Sequence, residues 1–300
     1  MNQDHSFAQF LKRQEPLVIA LFIMAIISLA VGGYEYYVLN QDLVSKTASY
    51  EKQIADLQTN LSNANNQNTI LAGQLSDAQA VNNSFQGQIA GISSTVGTLQ
   101  KIAATDPELL KKYSKISFLN ENYIPASLTF INDQYLYDKN KPQQILNQVW
   151  PHLNTLLLAA SSTGLHLQVI SAYRSFGAQS GLKASYKVTF GAGTANSFSA
   201  DQGYSEHQLG TALDFTTPKV ADTFSPSLFE RSPENTWLLA NAWQYGFVLS
   251  YPKNNPYYIY EPWHWRYVGV KLATDLHNQN IYFYDMDQRT IDSYLVNFFD

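Results

Sequence analysis

From Tyr50 to Leu99 apolar and small residues, with Asn68 and Asn82 in two of the places, step by four and then by three over fifteen positions without a slip. A period of 3.5 is the seam of a coiled coil. The order of the steps makes Ile54, Leu61, Asn68, Leu75, Asn82, Ile89 and Val96 the a positions. Asparagine at two of them costs stability and favours a parallel, two-stranded register. Residues 43–104 are rich in Asn, Gln, Ser and Ala and contain neither Pro nor Trp. Against the helix stand Ala64 and Ala78 at d positions and Gly73, Gly87, Gly91 and Gly97, which weaken it. Few e and g positions carry charge, so a flexible polar spacer is the alternative. As a helix, 43–99 would extend roughly 85 Å at about 1.5 Å per residue. Such a stalk would dimerise the C-terminal part of the chain and hold it off a membrane.

A membrane is expected because residues 17–31 read LVIALFIMAIISLAV, free of charge, and Gly32, Gly33 and Tyr34 extend the run to eighteen. That is near the lower limit for a spanning helix. Glu35 ends the run, and Tyr34, Tyr36 and Tyr37 suit the headgroup level. Lys12 and Arg13 before it favour a cytoplasmic N-terminus, 1–16, followed by an anchor, 17–39. Ser28 and Ala30 flank a small-x-small site, so a cleaved signal peptide is the rival reading. Both readings export the remainder, extracellular or periplasmic in the anchored case and secreted in the cleaved one.

The remainder divides into a linker, 105–117, and a globular domain, 118–300. Asp106 before Pro107 reads as a helix cap, and 109–116 leads into the head. A loop-rich aromatic stretch covers 119–137. Helical spacing covers 142–164, and strands are expected at 165–171, 209–216 and 246–250. Residues 186–204, rich in Gly, Ser and Ala, are expected as a loop or short helix, and 287–298 as a closing helix. Helices and strands without regular βαβ alternation predict an α+β domain. The net charge of −5 implies no broad basic surface for nucleic acid. Without cysteine, disulfides and thiolate metal sites are excluded.

Two short runs carry the chemistry. Residues 205–214 read SEHQLGTALD, and 261–264 read EPWH. They supply His207, Asp214 and His264, two imidazoles and a carboxylate, with Glu261 three residues before the last. Two nitrogens and one oxygen suit Zn2+, and three protein ligands leave a position for water. Each residue also has a plain reading, as a hydrogen-bonded core residue or a solvated surface one. His152, His166 and His277 read most simply as structural or surface residues.

The pattern Ser-x-His-x-x-Gly-x-Ala-x-Asp followed by Glu-x-Trp-His resembles the M15 zinc peptidases, and within them the VanY-type D-alanyl-D-alanine carboxypeptidases. Residues 169–175 (VISAYRS) resemble the family's arginine segment, with Gln179 five residues after Arg174; 237–252 and 265–269 resemble the stretches around the second motif. The resemblance spans 118–298 and implies the fold shared with lysostaphin-type enzymes and the hedgehog domain, a small, mainly antiparallel sheet flanked by helices. It implies zinc on His207, Asp214 and His264, Glu261 as general base and Arg174 as stabiliser of the oxyanion. Gln179, Ser205 and Trp263 would contact substrate, with Tyr251 a weaker candidate. Gly210 would allow close backbone packing. Glu206 has no implied role and is expected to be solvated. The implied substrates are peptidoglycan stem peptides, losing the C-terminal D-alanine. L,D-carboxypeptidase or endopeptidase action on the same peptides, or a non-catalytic zinc-binding wall module, are the alternatives. Leu209 and Thr211 stand where many relatives have Thr and Leu, which touches fine specificity alone.

Overall fold

The computed structural model describes residues 4–112, 117–219 and 226–300. Part of the expected linker, at 113–116, therefore lies outside the described residues. The chain forms two compact units, Met1–Ala90 and Gly91–Asp300.

Helix α1, Asp4–Ala104, runs unbroken through the expected anchor and stalk. Pro16 lies inside it, where its missing N–H removes one i→i−4 hydrogen bond. The window of highest hydropathy averages 2.5, enough in length and composition to cross a membrane. The heptad residues are exposed in the single chain, Leu57 at 66% and Leu75 at 60%. Their stripe finds no covering face within the described residues of this unit.

In the second unit Asp106 caps a 3-10 turn, Pro107–Leu110, accepting from the Glu108 amide at 2.9 Å. Leu109 and Leu110 are buried in the main core. The segment is therefore packed into the domain, and more than a tether. Strands β1, Leu128–Phe130, and β2, Gln144–Leu146, form a two-stranded antiparallel ribbon. Helix α2, Trp150–Ser162, follows with Pro151 in its first turn. The helical spacing read from 142 thus begins later, because Ile145 is spent pairing with Thr129.

The central sheet has the order β3-β4-β6-β5, antiparallel throughout. It contains β3, Gln168–Ser171; β4, Ala212–Thr216; β5, Phe247–Leu249; and β6, His264–Tyr267. Between β3 and β4 lie α3, Phe176–Phe190, and α4, Ala192–Phe198. Of the loop or short helix expected at 186–204, the short helix is found as α4, and Gly191, at φ 84°, separates it from the end of α3. A 3-10 turn, Glu206–Leu209, precedes β4, so the strand starts later than expected. Helices α5, Pro226–Glu230, and α6, Pro233–Asn241, lie before β5. After β6 come α7, Val270–Gln279, and α8, Gln288–Asp292, which passes into a 3-10 turn, Ser293–Asn297. One core joins Leu153, Leu156 and Leu157 of α2 to Phe215, Phe247 and Tyr267 of the sheet and to Leu272 and Leu276 of α7.

Candidate active site and metal centre

Strand register builds the site. Asp214 of β4 pairs directly with His264 of β6, and opposite residues in an antiparallel pair share one face at close range. Asp214 also lies beside Ser171 of β3, across an irregularity between Val169 and Ser171. His207 reaches the same point from the 3-10 turn, which Gly210 ends at φ 70°. A Cβ on Gly210 would sit 3.1 Å from Leu128 Cδ2 and 3.3 Å from the Leu146 nitrogen, so the close approach expected there is present. Residues 261–264 close on themselves, the His264 amide donating to the Glu261 carbonyl at 3.1 Å.

One ligand atom each from His207, Asp214 and His264 lies within 4.8 Å of the others, and all three residues are buried. His207 Nδ1 donates to the Ala172 carbonyl at 2.7 Å. A carbonyl only accepts, so that nitrogen carries the proton and Nε2 offers its lone pair. His207 Nε2 lies 3.3 Å from Asp214 Oδ2. His264 Nδ1 lies 3.0 Å from Asp214 Oδ1, and its Nε2 lies 2.9 Å from Glu206 Oε2. Two imidazole nitrogens and a carboxylate, desolvated and convergent, fit Zn2+.

Loss of water opposes charge on Asp214, but both histidines hold it well below the usual carboxylate range. Burial, then the Arg174 charge, push His207 down. Burial also opposes charge on His264, yet its bonds to Asp214 and Glu206 prevail and raise it to about 10 in the metal-free site.

Glu261 is half-buried. Removal of water is the largest influence on it and pushes it up to about 8, the nearby Asp214 adding to the rise. His264, Arg174 and a hydrogen bond from the Trp263 indole act the other way. Arg174 is half-buried, its amide donating to the His207 carbonyl at 3.2 Å. Its Nε is buried without a hydrogen-bond partner. The charges of Arg174, Asp214 and Glu261 all act on Tyr186 of α3, a neighbour of the site that the sequence reading missed.

The other expected residues behave differently. Ser205 is buried beside the turn. Gln179 is buried and its Nε2 donates to the Ala200 carbonyl at 2.8 Å, while its Oε1 has no partner. One turn on, Lys183 holds the Ser199 carbonyl at 2.6 Å and Asp201 at 2.8 Å. This face of α3 thus clamps the segment leading to His207. Tyr251 is buried among aromatic neighbours. One face of its ring lies on His264, centroids 4.1 Å apart, and Tyr258 stacks on it at 4.2 Å.

Glu206 departs most from expectation. It is fully buried. Its Oε1 accepts from Ser250 Oγ at 2.8 Å, Arg266 Nη1 at 2.8 Å and Tyr284 OH at 2.7 Å. A solvated side chain was expected because an acid beside a ligand has no required role. The sign of one was Arg266: it shares its strand face with His264, and a buried guanidinium needs a buried anion.

A buried, metal-fitting His-Asp-His cluster with a carboxyl beside it on an α+β scaffold defines a zinc metallopeptidase. The family model described as VanY, D-alanyl-D-alanine carboxypeptidase, matches residues 142–270. The solved LdcB LD-carboxypeptidase is 32% identical, covers 60% of this chain and 86% of its own, and superposes with a TM-score of 0.53. The chain belongs to the VanY-type zinc peptidases. The YodJ protein of Bacillus subtilis (strain 168) is 31% identical over 181 residues, 59% of this chain and 66% of that one. The vancomycin-resistance D,D-pentapeptidase VanY, solved as a mutant in complex with Zn(II), is 28% identical over 58% of this chain and 98% of its own, with a TM-score of 0.43.

Proposed function

We propose that this protein is a membrane-anchored carboxypeptidase that removes the C-terminal D-alanine from peptidoglycan stem pentapeptides. The observation that carries the reading is the convergence of the His207, Asp214 and His264 donor atoms within 4.8 Å. Zinc held there would polarise the scissile carbonyl and make water acidic near neutral pH. Glu261 accepts a proton from the attacking water and returns it to the leaving D-alanine nitrogen, so the amide breaks with net addition of water. Its raised affinity for a proton suits both halves of that transfer. Arg174, half-buried with an unpartnered Nε, stabilises the negative oxygen that develops on the attacked carbonyl. Ser205, the free Oε1 of Gln179 and Trp263 contact the peptide.

A second reading, L,D-carboxypeptidase action on tetrapeptides, is favoured by the likeness to LdcB, a solved LD-carboxypeptidase. The full chain in detergent, given a synthetic pentapeptide ending in D-Ala-D-Ala and the tetrapeptide ending in a single D-Ala, separates the two. D-alanine release from the pentapeptide, lost with chelator and in Glu261→Ala, supports the first. Turnover of the tetrapeptide alone supports the second, and turnover of neither overturns both.

The stalk and anchor complete the proposal. The apolar segment of α1 spans the membrane with its N-terminus cytoplasmic, in keeping with Lys12 and Arg13. The unslipped seam from Tyr50 to Leu99 pairs with a second copy in parallel.

A further inference from the structure

We infer that Glu206 is a positioning residue for the metal, fixing which nitrogen of His264 is offered to it. The inference rests on the zinc-peptidase reading of the site. His264 lies between two carboxylates, Asp214 at Nδ1 and Glu206 at Nε2. Nδ1 is the nitrogen that lies against Asp214, a member of the cluster. To ligate there, the ring must carry its proton on Nε2, and Glu206 Oε2 at 2.9 Å accepts that proton's hydrogen bond. A carboxylate can only accept, so it excludes the tautomer with a bare Nε2.

Glu206 can serve this way because its other oxygen is committed elsewhere. Oε1 takes hydrogen bonds from Ser250, Arg266 and Tyr284. Arg266 has no acceptor of its own, so the atom facing it must be an oxygen bearing charge or lone pairs. Arg266 is itself immobilised, its Nη2 donating to the Leu109 carbonyl at 2.6 Å and the Lys111 carbonyl at 3.3 Å, with Phe283 4.5 Å beneath the guanidinium. The ring of His264 is held flat by Tyr251. Ring plane and proton position are thus set by different neighbours, and Glu206 sets the second.

Glu206→Gln gives a sharp test, since the side chain keeps its shape. Arg266 will claim the amide oxygen, and the NH2 must then face His264 Nε2. A donor there favours the tautomer protonated on Nδ1, which zinc must displace. The expected result is a 10- to 100-fold loss of zinc affinity, on the scale of comparable supporting carboxylates, read by chelator competition. Asp214 and His207 are untouched, so saturating zinc restores turnover with an unchanged KM. Tyr284→Phe, which leaves the carboxylate in place, should bind zinc within about threefold of the parent, as loss of one of three donors to Oε1 leaves the acceptor at His264 intact.

Should Glu206→Gln fail to fold, the parent protein answers the question. With 15N-histidine labelling and 113Cd in place of zinc, metal–nitrogen coupling should appear on Nδ1 of His264, and its Nε2 should carry a proton. Coupling on Nε2, or a folded Glu206→Gln with unchanged affinity, overturns the inference. Coupling on Nδ1 of His264 combined with no peptidase activity would leave Glu206's role standing while removing the proposed function.

Discussion

Cutting the chain at 118 should cost most of the domain's stability, although the sequence alone presents 105–117 as a connector. Leu109 and Leu110 are 2% and 0% exposed within the main core. Losing two buried leucines costs about 2 kcal/mol each. Arg266 Nη2 would also lose the carbonyls of Leu109 and Lys111, a charged group left wanting acceptors at about 2 kcal/mol. Together these approach about 6 kcal/mol, against the roughly 5–15 kcal/mol that separates a folded domain from its unfolded chain. Further bonds would go as well: Gln288 Nε2 to the Leu110 carbonyl and Tyr123 OH to Asp106. Urea denaturation of soluble fragments 105–300 and 118–300 measures the difference. The shorter fragment should be unfolded or nearly so at 25 °C and should retain no stoichiometric zinc. In the longer one, Leu110→Ala alone should cost about 2 kcal/mol. A fragment 118–300 whose unfolding free energy lies within about 1 kcal/mol of the longer one's would refute the reasoning.

Other expectations rest on single contacts. Arg174→Met should lower kcat by a factor of about 10²–10³ without reducing zinc content, measured by metal analysis alongside steady-state rates. Asp214→Asn, by removing the only anionic donor of the three, should abolish retention of zinc through dialysis. The Trp263 hydrogen bond stabilises the ionised form of Glu261, so Trp263→Phe should raise that group's pKa. The acid limb of kcat/KM, where Glu261 must be ionised to accept a proton, then moves to higher pH; a shift to lower pH would contradict the assignment. For the stalk, replacing Asn68 and Asn82 with Ile should raise the melting temperature of a 43–104 fragment and broaden its oligomer distribution in sedimentation. A parent fragment that sediments as an unfolded monomer would remove the coiled coil.

What could be read from the sequence was whatever repeats or clusters locally. The heptad seam and the charge-free run give a helix regardless of what packs on it, and α1 runs through both. The His207, Asp214 and His264 cluster could be picked out because two of its members lie seven apart and the third sits in an aromatic turn. Sheet register then brings them together, Asp214 opposite His264. Short elements were harder. Ile145 satisfies a helical spacing with Val149 and Leu153, yet pairing with Thr129 takes it into β2. Gly-, Ser- and Ala-rich composition left 186–204 open between loop and short helix, because Lys183 and Gln179 anchor α3 through contacts to 199–201 that no local pattern displays. Tyr251 carried a family likeness, but only the packing reveals that His264 and Tyr258 cover its ring.

The two glutamates beside the His-Asp-His cluster show why function here is a matter of surroundings more than residue type. Both lose water on folding, and for both that loss is the largest influence and favours the neutral acid. At Glu206 the buried Arg266 charge and hydrogen bonds from His264 and Tyr284 reverse it, lowering the group to about 2. Such a carboxylate is a fixed anion at any physiological pH, suited to orienting an imidazole and unsuited to carrying protons. At Glu261 the opposing help is weaker, one indole N–H and charges at longer reach, and the group rises to about 8. A cation bound nearby must lower that value, bringing the carboxyl into the range where it can both take and give a proton near neutrality. Exchanging the surroundings should therefore exchange the behaviour. Arg266→Met leaves Glu206 buried without its compensating charge, so the carboxyl should take up a proton well above its present value. A protonated Glu206 can donate as well as accept, and the preference imposed on His264 weakens. Zinc affinity in Arg266→Met should consequently fall as pH is lowered through the mildly acidic range, more steeply than in the parent protein. Parallel pH profiles for the two proteins would show that Arg266 supports the strand without governing the carboxylate.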